Sequence, residues 1–229
     1  GPISSRKGVN VPGTLVDLPA IGPKDQAALQ HALENGADYI AVSYVRNAED
    51  LLPAKEAIKA ASMHVPVLAK IEHPAALENL DSILDQADAV MVARGDLGVE
   101  IPLENVPVAQ QRIIDKALER GMPVVVATQM LESMTFQPRP TRAEVSDVST
   151  AIRHGATGVM LSGETASGTY PLETVKTMAK IAAATEEGLD AHDLRPTSLA
   201  RFRSTRAVAH AGVELAREAG AARIVVATH

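Results

Sequence analysis

The sequence contains no cysteine and no tryptophan, and only three tyrosines and two phenylalanines in 229 residues. Without cysteine there is no disulfide framework and no thiolate metal site, and a reducing, cytoplasmic setting is expected. With aromatics at 2%, Ala, Val, Leu and Ile must build the core, which suits helices packed on buried parallel strands. No apolar run is long enough to cross a bilayer and no segment has the pattern of a signal peptide, so no membrane association is expected. The formal net charge of −6 argues against nucleic acid as a partner. What is present is ordinary for a globular protein: 46% hydrophobic and 22% charged residues, in a chain long enough for one large domain or most of one.

Strand-like and helix-like segments alternate. Short runs apolar on both faces occur at Tyr39–Val45, Val65–Ile71, Ala89–Ala93, Pro123–Ala127 and Gly158–Leu161, as expected of strands covered on both sides. Between them lie helical patterns: Lys24–Asn35 ending at Gly36, a segment capped by Asn47 with Leu51, Leu52, Ala54 and Ile58, and Val106–Arg120 ending at Gly121. Thr141 and Glu144 read as a capping box before a helix to Arg153, and Pro171 suits the first turn of a helix to Glu187. A strand repeat of roughly 25–35 residues is the size of a βα unit. Five such units in succession favour an α/β fold of the (β/α) barrel type over a doubly wound sheet. The polar run 188–204, with Arg195-Pro196, reads as a linker. A helix over Thr205–Ala219 and a strand over Arg223–Thr228 would open a second α/β domain.

In a parallel barrel the chemistry projects from the C-terminal ends of the strands. The first strand delivers Ser43 and Arg46, the second Lys70 and Glu72, the third Arg94 and Asp96, the fourth Thr128 and Gln129, the fifth Ser162 and Glu164. The third end, VARGDLGVEIP, sets a carboxylate between Gly95 and Gly98, where backbone amides can approach a ligand closely. An acid beside exposed amides suits a divalent metal and an anionic substrate together; an acid in such a turn can equally be merely solvated. Lys70 and Glu72, two apart, share one face of a strand and must pair or serve a ligand. Glu72 with Asp96 from the next strand gives two oxygen ligands for Mg2+, or a chance proximity. The Thr128 hydroxyl faces the site or bonds back to its own backbone. SGETASG, carrying Ser162 and Glu164, is a small loop that could touch phosphate. Histidines 31, 64, 154, 192 and 210 read as surface groups, and His73 lies near the site without an evident partner.

These segments resemble pyruvate kinase: KGVNVPG at 7–13, AVSYVR at 41–46, LAKIEH at 68–73, VARGDLGVEIP at 92–102, VVVATQMLESM at 124–134, PRPTRAEVSDV at 138–148 and VMLSGETASGTYP at 159–171, in the same order across nearly the whole chain. The resemblance implies phosphoryl transfer from phosphoenolpyruvate to ADP, giving pyruvate and ATP in glycolysis. By similarity, Lys70 would stabilise charge on the phosphoryl group and the enolate. Glu72 and Asp96 would hold Mg2+, the amides of Gly95 and Asp96 would take the substrate carboxylate, and Thr128 would contact substrate near the protonated carbon. Ser43, Arg94, Ser162 and Glu164 are possible accessory groups. His73 and Pro74-Ala75-Ala76 depart from the family pattern beside the metal-binding acid.

The same resemblance sets the extent. The family barrel has eight strands and an inserted lid, and this chain matches the last five strands. The expectation is an internal piece: an incomplete TIM-type (β/α) barrel over 1–187, a linker over 188–204, and the start of a C-terminal α/β domain over 205–229. K+ ligands would lie outside the chain, and the parent protein is expected to be a homo-oligomer. The chain alone is expected to associate or be poorly stable, with weak or no catalysis. A magnesium-dependent barrel aldolase acting on pyruvate or oxaloacetate, and a non-catalytic remnant, are the competing readings.

Overall fold

A computed structural model describes residues 19–189 and 203–225, with the side chains of 203–207, 209 and 210 left aside. Five parallel strands form one sheet in the order of the sequence: β1 (Ile40–Val42), β2 (Val67–Ile71), β3 (Ala89–Ala93), β4 (Val124–Ala127) and β5 (Gly158–Met160). Each expected apolar run supplies one strand. All but β3 are shorter than their runs, β1 most of all. Beyond β1 the chain turns through Tyr44, whose φ is +52°, and Val45 folds back, wholly buried, into the core.

Period-two alternation assigns the two faces. Val67, Ala69, Ile71, Val90, Val92, Val124 and Val126 join the main core, together with Leu51, Ile83, Ile113, Ile114 and Ala117 from the helices. The other face is a separate small cluster of strand residues alone: Leu68, Ala89, Met91 and Ala127, with Val125 and Met160 packed on it. Lys70 shares the face of Leu68. The register pairs Lys70 with Met91 and Met91 with Val125, so the inner face is a row of apolar side chains in which Lys70 is the polar member. Each fully buried aliphatic side chain of the main core contributes about 1.5–3 kcal/mol.

The helices expected between strands are present: α1 (Pro23–Glu34), a 3-10 turn at Ala48–Leu51 running into α2 (Leu52–Ala60), and, further along, α6 (Val106–Glu119), α7 (Arg142–Arg153) and α9 (Pro171–Glu187). Asn47 Oδ1 accepts from the Asp50 amide at 3.1 Å, and the Thr141–Glu144 capping box forms. Four short helices were not expected. α3 (Pro74–Glu78) and α4 (Leu80–Gln86) fill the β2–β3 connection. His73, read as lacking a partner, caps α3: its Nδ1 accepts from the Ala75 amide at 3.1 Å. The RGD segment, read as a turn, is helix α5 (Arg94–Glu100), and the SGETA segment, read as a loop, contains α8 (Gly163–Ala166). Glycine propensity argues against a helix at Arg94–Glu100, but burial of Leu97 overrides that weak prior. α10 (Arg203–Glu218) stands where a helix was expected. Of the expected strand over 223–228, residues 223–225 are irregular and exposed, having no strand to pair with, and 226–228 lie outside the described residues.

Candidate active site

At the ends of β1 and β2 three of the expected polar groups, Ser43, Lys70 and Glu72, meet. Lys70, the fourth residue of β2, reaches two partners: Nζ lies 2.6 Å from Glu72 Oε1 and donates to Ser43 Oγ at 2.9 Å. The β1–β2 register sets Val42 opposite Ala69, so Ser43 stands opposite Lys70 and the contact follows from strand pairing. Glu72 is 1% exposed. Its second oxygen, Oε2, accepts from the Tyr44 amide at 2.6 Å. A buried carboxylate is tolerable here because an ammonium group and a backbone amide both face it. The left-handed Tyr44 is what turns that amide toward Glu72.

Asp96 sits in the first turn of α5, the helix that follows β3, and β3 is the strand paired with β2. The Tyr44 phenol reads this neighbourhood. Its pKa lies above the usual value, first through burial and then through the negative charges of Asp96, Glu72 and Glu100. Both candidate metal ligands therefore bear on one hydroxyl. Among the described residues no cluster of three or more His, Cys, Asp or Glu side chains is gathered for a metal. A pair of carboxylates is the donor set that suits Mg2+ sharing its remaining positions with water and substrate oxygens.

Thr128 follows β4 with φ +69°, and Gln129 follows it at +52°. Non-glycine residues in this region are uncommon, and three of the four in the described chain stand at the ends of β1 and β4. The Thr128 hydroxyl bonds to backbone, the second of the two roles weighed for it: it donates to Ala127 O at 2.6 Å and accepts from the Gly95 amide at 2.7 Å. A Cβ on Gly95 would stand 3.2 Å from that oxygen, so glycine permits the approach.

The accessory groups are placed differently from one another. Ser43 joins the Lys70 contact. Arg94, a possible accessory group, is buried and turned to the β4 turn and to Asp147. Glu164, from the loop that could touch phosphate, is fully buried. Its oxygens accept from the amides of Leu131 at 3.2 Å and Ser162 at 2.7 Å, which ties the end of β5 to the β4 turn. The Ser162 hydroxyl is buried without a hydrogen-bond partner among the described residues. Arg46 pairs with Asp50 at 3.2 Å. Sequence reasoning missed Tyr44, Glu100 and Asp147. No local pattern marks a tyrosine for a left-handed turn, and Asp147 lies 53 residues from its partner Arg94.

Comparison with known proteins identifies the family. The chain matches the family described as pyruvate kinase, barrel domain, over residues 1–175. It is 52% identical to the pyruvate kinase of Geobacillus stearothermophilus over 195 residues, which is 85% of this chain and 33% of that protein. It is 48% identical to pyruvate kinase 2 of Candida glabrata over 99% of this chain and 45% of that protein. Against the Leishmania mexicana pyruvate kinase it is 51% identical over 82% of this chain and 38% of that protein. The chain thus spans between a third and about half of the length of these curated relatives. With five parallel strands in sequence order, polar groups at their C-terminal ends and this match, the chain is part of a (β/α) barrel and belongs to the pyruvate kinase family.

Proposed function

We propose that this chain carries the catalytic strand ends of an enzyme that moves the phosphoryl group of phosphoenolpyruvate to ADP. In this reaction the bond from phosphorus to the enol oxygen breaks and a bond from phosphorus to a terminal ADP oxygen forms. The enolate left behind takes a proton at its methylene carbon to give pyruvate. Negative charge gathers on the transferring group and on the enolate oxygen, so the protein's task is positioning and electrostatic stabilisation.

The Lys70–Glu72 pair carries the reading. A cation at 2.6 Å from a carboxylate that is 1% exposed, at a strand end of this fold, is a charge held ready for an anionic ligand. Lys70 faces the developing charge. Glu72 and Asp96 would hold Mg2+, which when bound neutralises charge on substrate oxygens. The Asp96 amide in the first turn of α5 suits the substrate carboxylate. The Gly95 amide is engaged by Thr128 Oγ1, so a carboxylate takes it only by displacing that hydroxyl, which then turns to the substrate. The nucleotide, a K+ site, homo-oligomeric assembly and a domain division near Gly188 belong to the same proposal for the complete protein.

The test is pyruvate formation from phosphoenolpyruvate and ADP, by this chain and by a chimera in which a relative supplies the remainder. Little turnover by the chain alone, and turnover by the chimera that is lost in Lys70→Met, is expected. Aldol cleavage, or turnover indifferent to Lys70→Met, overturns the reading.

A further inference from the structure

The reading above leaves the Arg94 side chain without a task. It arises at the first residue of α5 and crosses to the turn after β4. Nη2 donates to Thr128 O at 2.8 Å and to Gln129 O at 2.9 Å, and Nε to Thr128 O at 3.2 Å. Nη2 also lies 2.8 Å from Met130 Sδ. Nη1 meets Asp147 Oδ2, on helix α7, at 2.6 Å. The carbonyls it grips belong to the left-handed pair Thr128 and Gln129, a conformation that persists only when the surroundings over-determine it. A planar guanidinium can bind two successive carbonyls and a carboxylate together, and the compact ammonium of lysine cannot. Buried as it is, the guanidinium needs a counter-charge, and Asp147 supplies it from a helix that otherwise lies outside the site.

The contacts close a circuit. Arg94 holds the backbone of Thr128, and the amide of the next residue, Gly95, holds the Thr128 hydroxyl at 2.7 Å. We propose that Arg94 and Asp147 are a positioning pair that locks the Thr128–Gln129 turn and so aims the Thr128 hydroxyl, which makes helix α7 part of the site. This rests on the proposed role of Thr128 as a substrate contact. Loss of the Asp147 charge frees the guanidinium to shift, relaxes the turn and withdraws the hydroxyl from Gly95.

The test is residue-resolved hydrogen exchange of the Gly95 amide in the ligand-free chain, with Thr128→Val as the variant that removes the acceptor outright. Asp147 is 39% exposed in its side chain, so the isosteric Asp147→Asn keeps the fold and decides the matter even where Arg94→Lys does not fold. Both are expected to speed Gly95 exchange about tenfold, toward the Thr128→Val rate, as loss of one charge-assisted hydrogen bond does, while amides of β3 and α7 keep their rates. Unchanged Gly95 exchange in Asp147→Asn overturns the proposal, and so does a parallel rise at every amide, which marks a general loss of stability. The readout needs no ligand. Failure of the chain to bind oxalate with Mg2+ would count against the proposed activity, and this inference would still be decided at Gly95.

Discussion

Gly95 donates its amide hydrogen to Thr128 Oγ1 at 2.7 Å, which joins the first turn of α5 to the left-handed turn after β4. The contact is tight for a side chain at Gly95, since a Cβ would stand 3.2 Å from the hydroxyl oxygen. Gly95→Ala is expected to push Thr128 aside and to cost about 1 kcal/mol, the lower end for overpacking, measured by denaturant unfolding. Thr128→Ala, which removes that oxygen, is expected to relieve the cost in part.

Removing one member of the Lys70–Glu72 pair is unequal in its effects. Lys70→Met leaves a carboxylate at 1% exposure with only the Tyr44 amide to face it. It is expected to destabilise the chain by about 3 kcal/mol, the lower end for an uncompensated buried charge. Glu72→Gln in the same background restores part of the loss, because the orphaned charge is gone. Mg2+ raises the melting temperature of Lys70→Met more than that of the unaltered chain, since the ion supplies the missing positive charge. Equal shifts in the two proteins would speak against metal at Glu72.

Glu144 gives the fold an acid limit. Burial pushes its carboxyl up, but hydrogen bonds from the Ser133 hydroxyl and amide and from Thr141 outweigh this and hold its pKa below the ordinary 4.5. The Ser133 contacts are 2.6 and 2.7 Å, and the Thr141 amide contact is 2.7 Å. A carboxyl whose folded pKa is depressed contributes stability above its unfolded pKa, and that stability is lost as pH falls through the folded value. Unfolding free energy is therefore expected to drop on acidification from about pH 5, and Glu144→Gln to flatten this limb while costing about 1 kcal/mol at neutral pH. An acid limb unchanged by Glu144→Gln would show that other carboxylates control it.

Tyr44 reports on the carboxylates of the site. Its phenol ionises above the usual range through burial and the charges of Asp96, Glu72 and Glu100. Followed by phenolate absorbance against a Tyr44→Phe reference, the transition is expected to move down in Asp96→Asn and again in Glu72→Gln, as each repulsive charge is removed. A transition indifferent to both would separate these carboxylates from the hydroxyl.

The fold was legible because five strands, the central three largely buried, announce themselves as apolar runs and because caps such as Asn47 and Thr141 sit at helix starts. Lys70 and Glu72 were legible as a pair because a spacing of two keeps both side chains on one face. Other features left no local mark. Glu164 reads as an acid in a small loop, yet backbone amides of Leu131 and Ser162 satisfy it in the core, and amides are present in every sequence. Arg94 reads only as a polar group at the end of the third strand. Its partners, 34 and 53 residues away, depend on a left-handed turn at Thr128 and Gln129 that neither residue type signals. Helix α5 was hidden by its two glycines, whose low propensity gave way to the burial of Leu97.

In the proposed site Glu72 and Asp96 meet one Mg2+ within reach of Lys70, and titration calorimetry with oxalate, an enolate mimic, decides whether they do. Oxalate is expected to bind only in the presence of Mg2+, and Glu72→Gln and Asp96→Asn are each expected to weaken this binding at least about tenfold, or 1.4 kcal/mol. Oxalate binding without metal, or binding unaltered by either substitution, would contradict the proposed site.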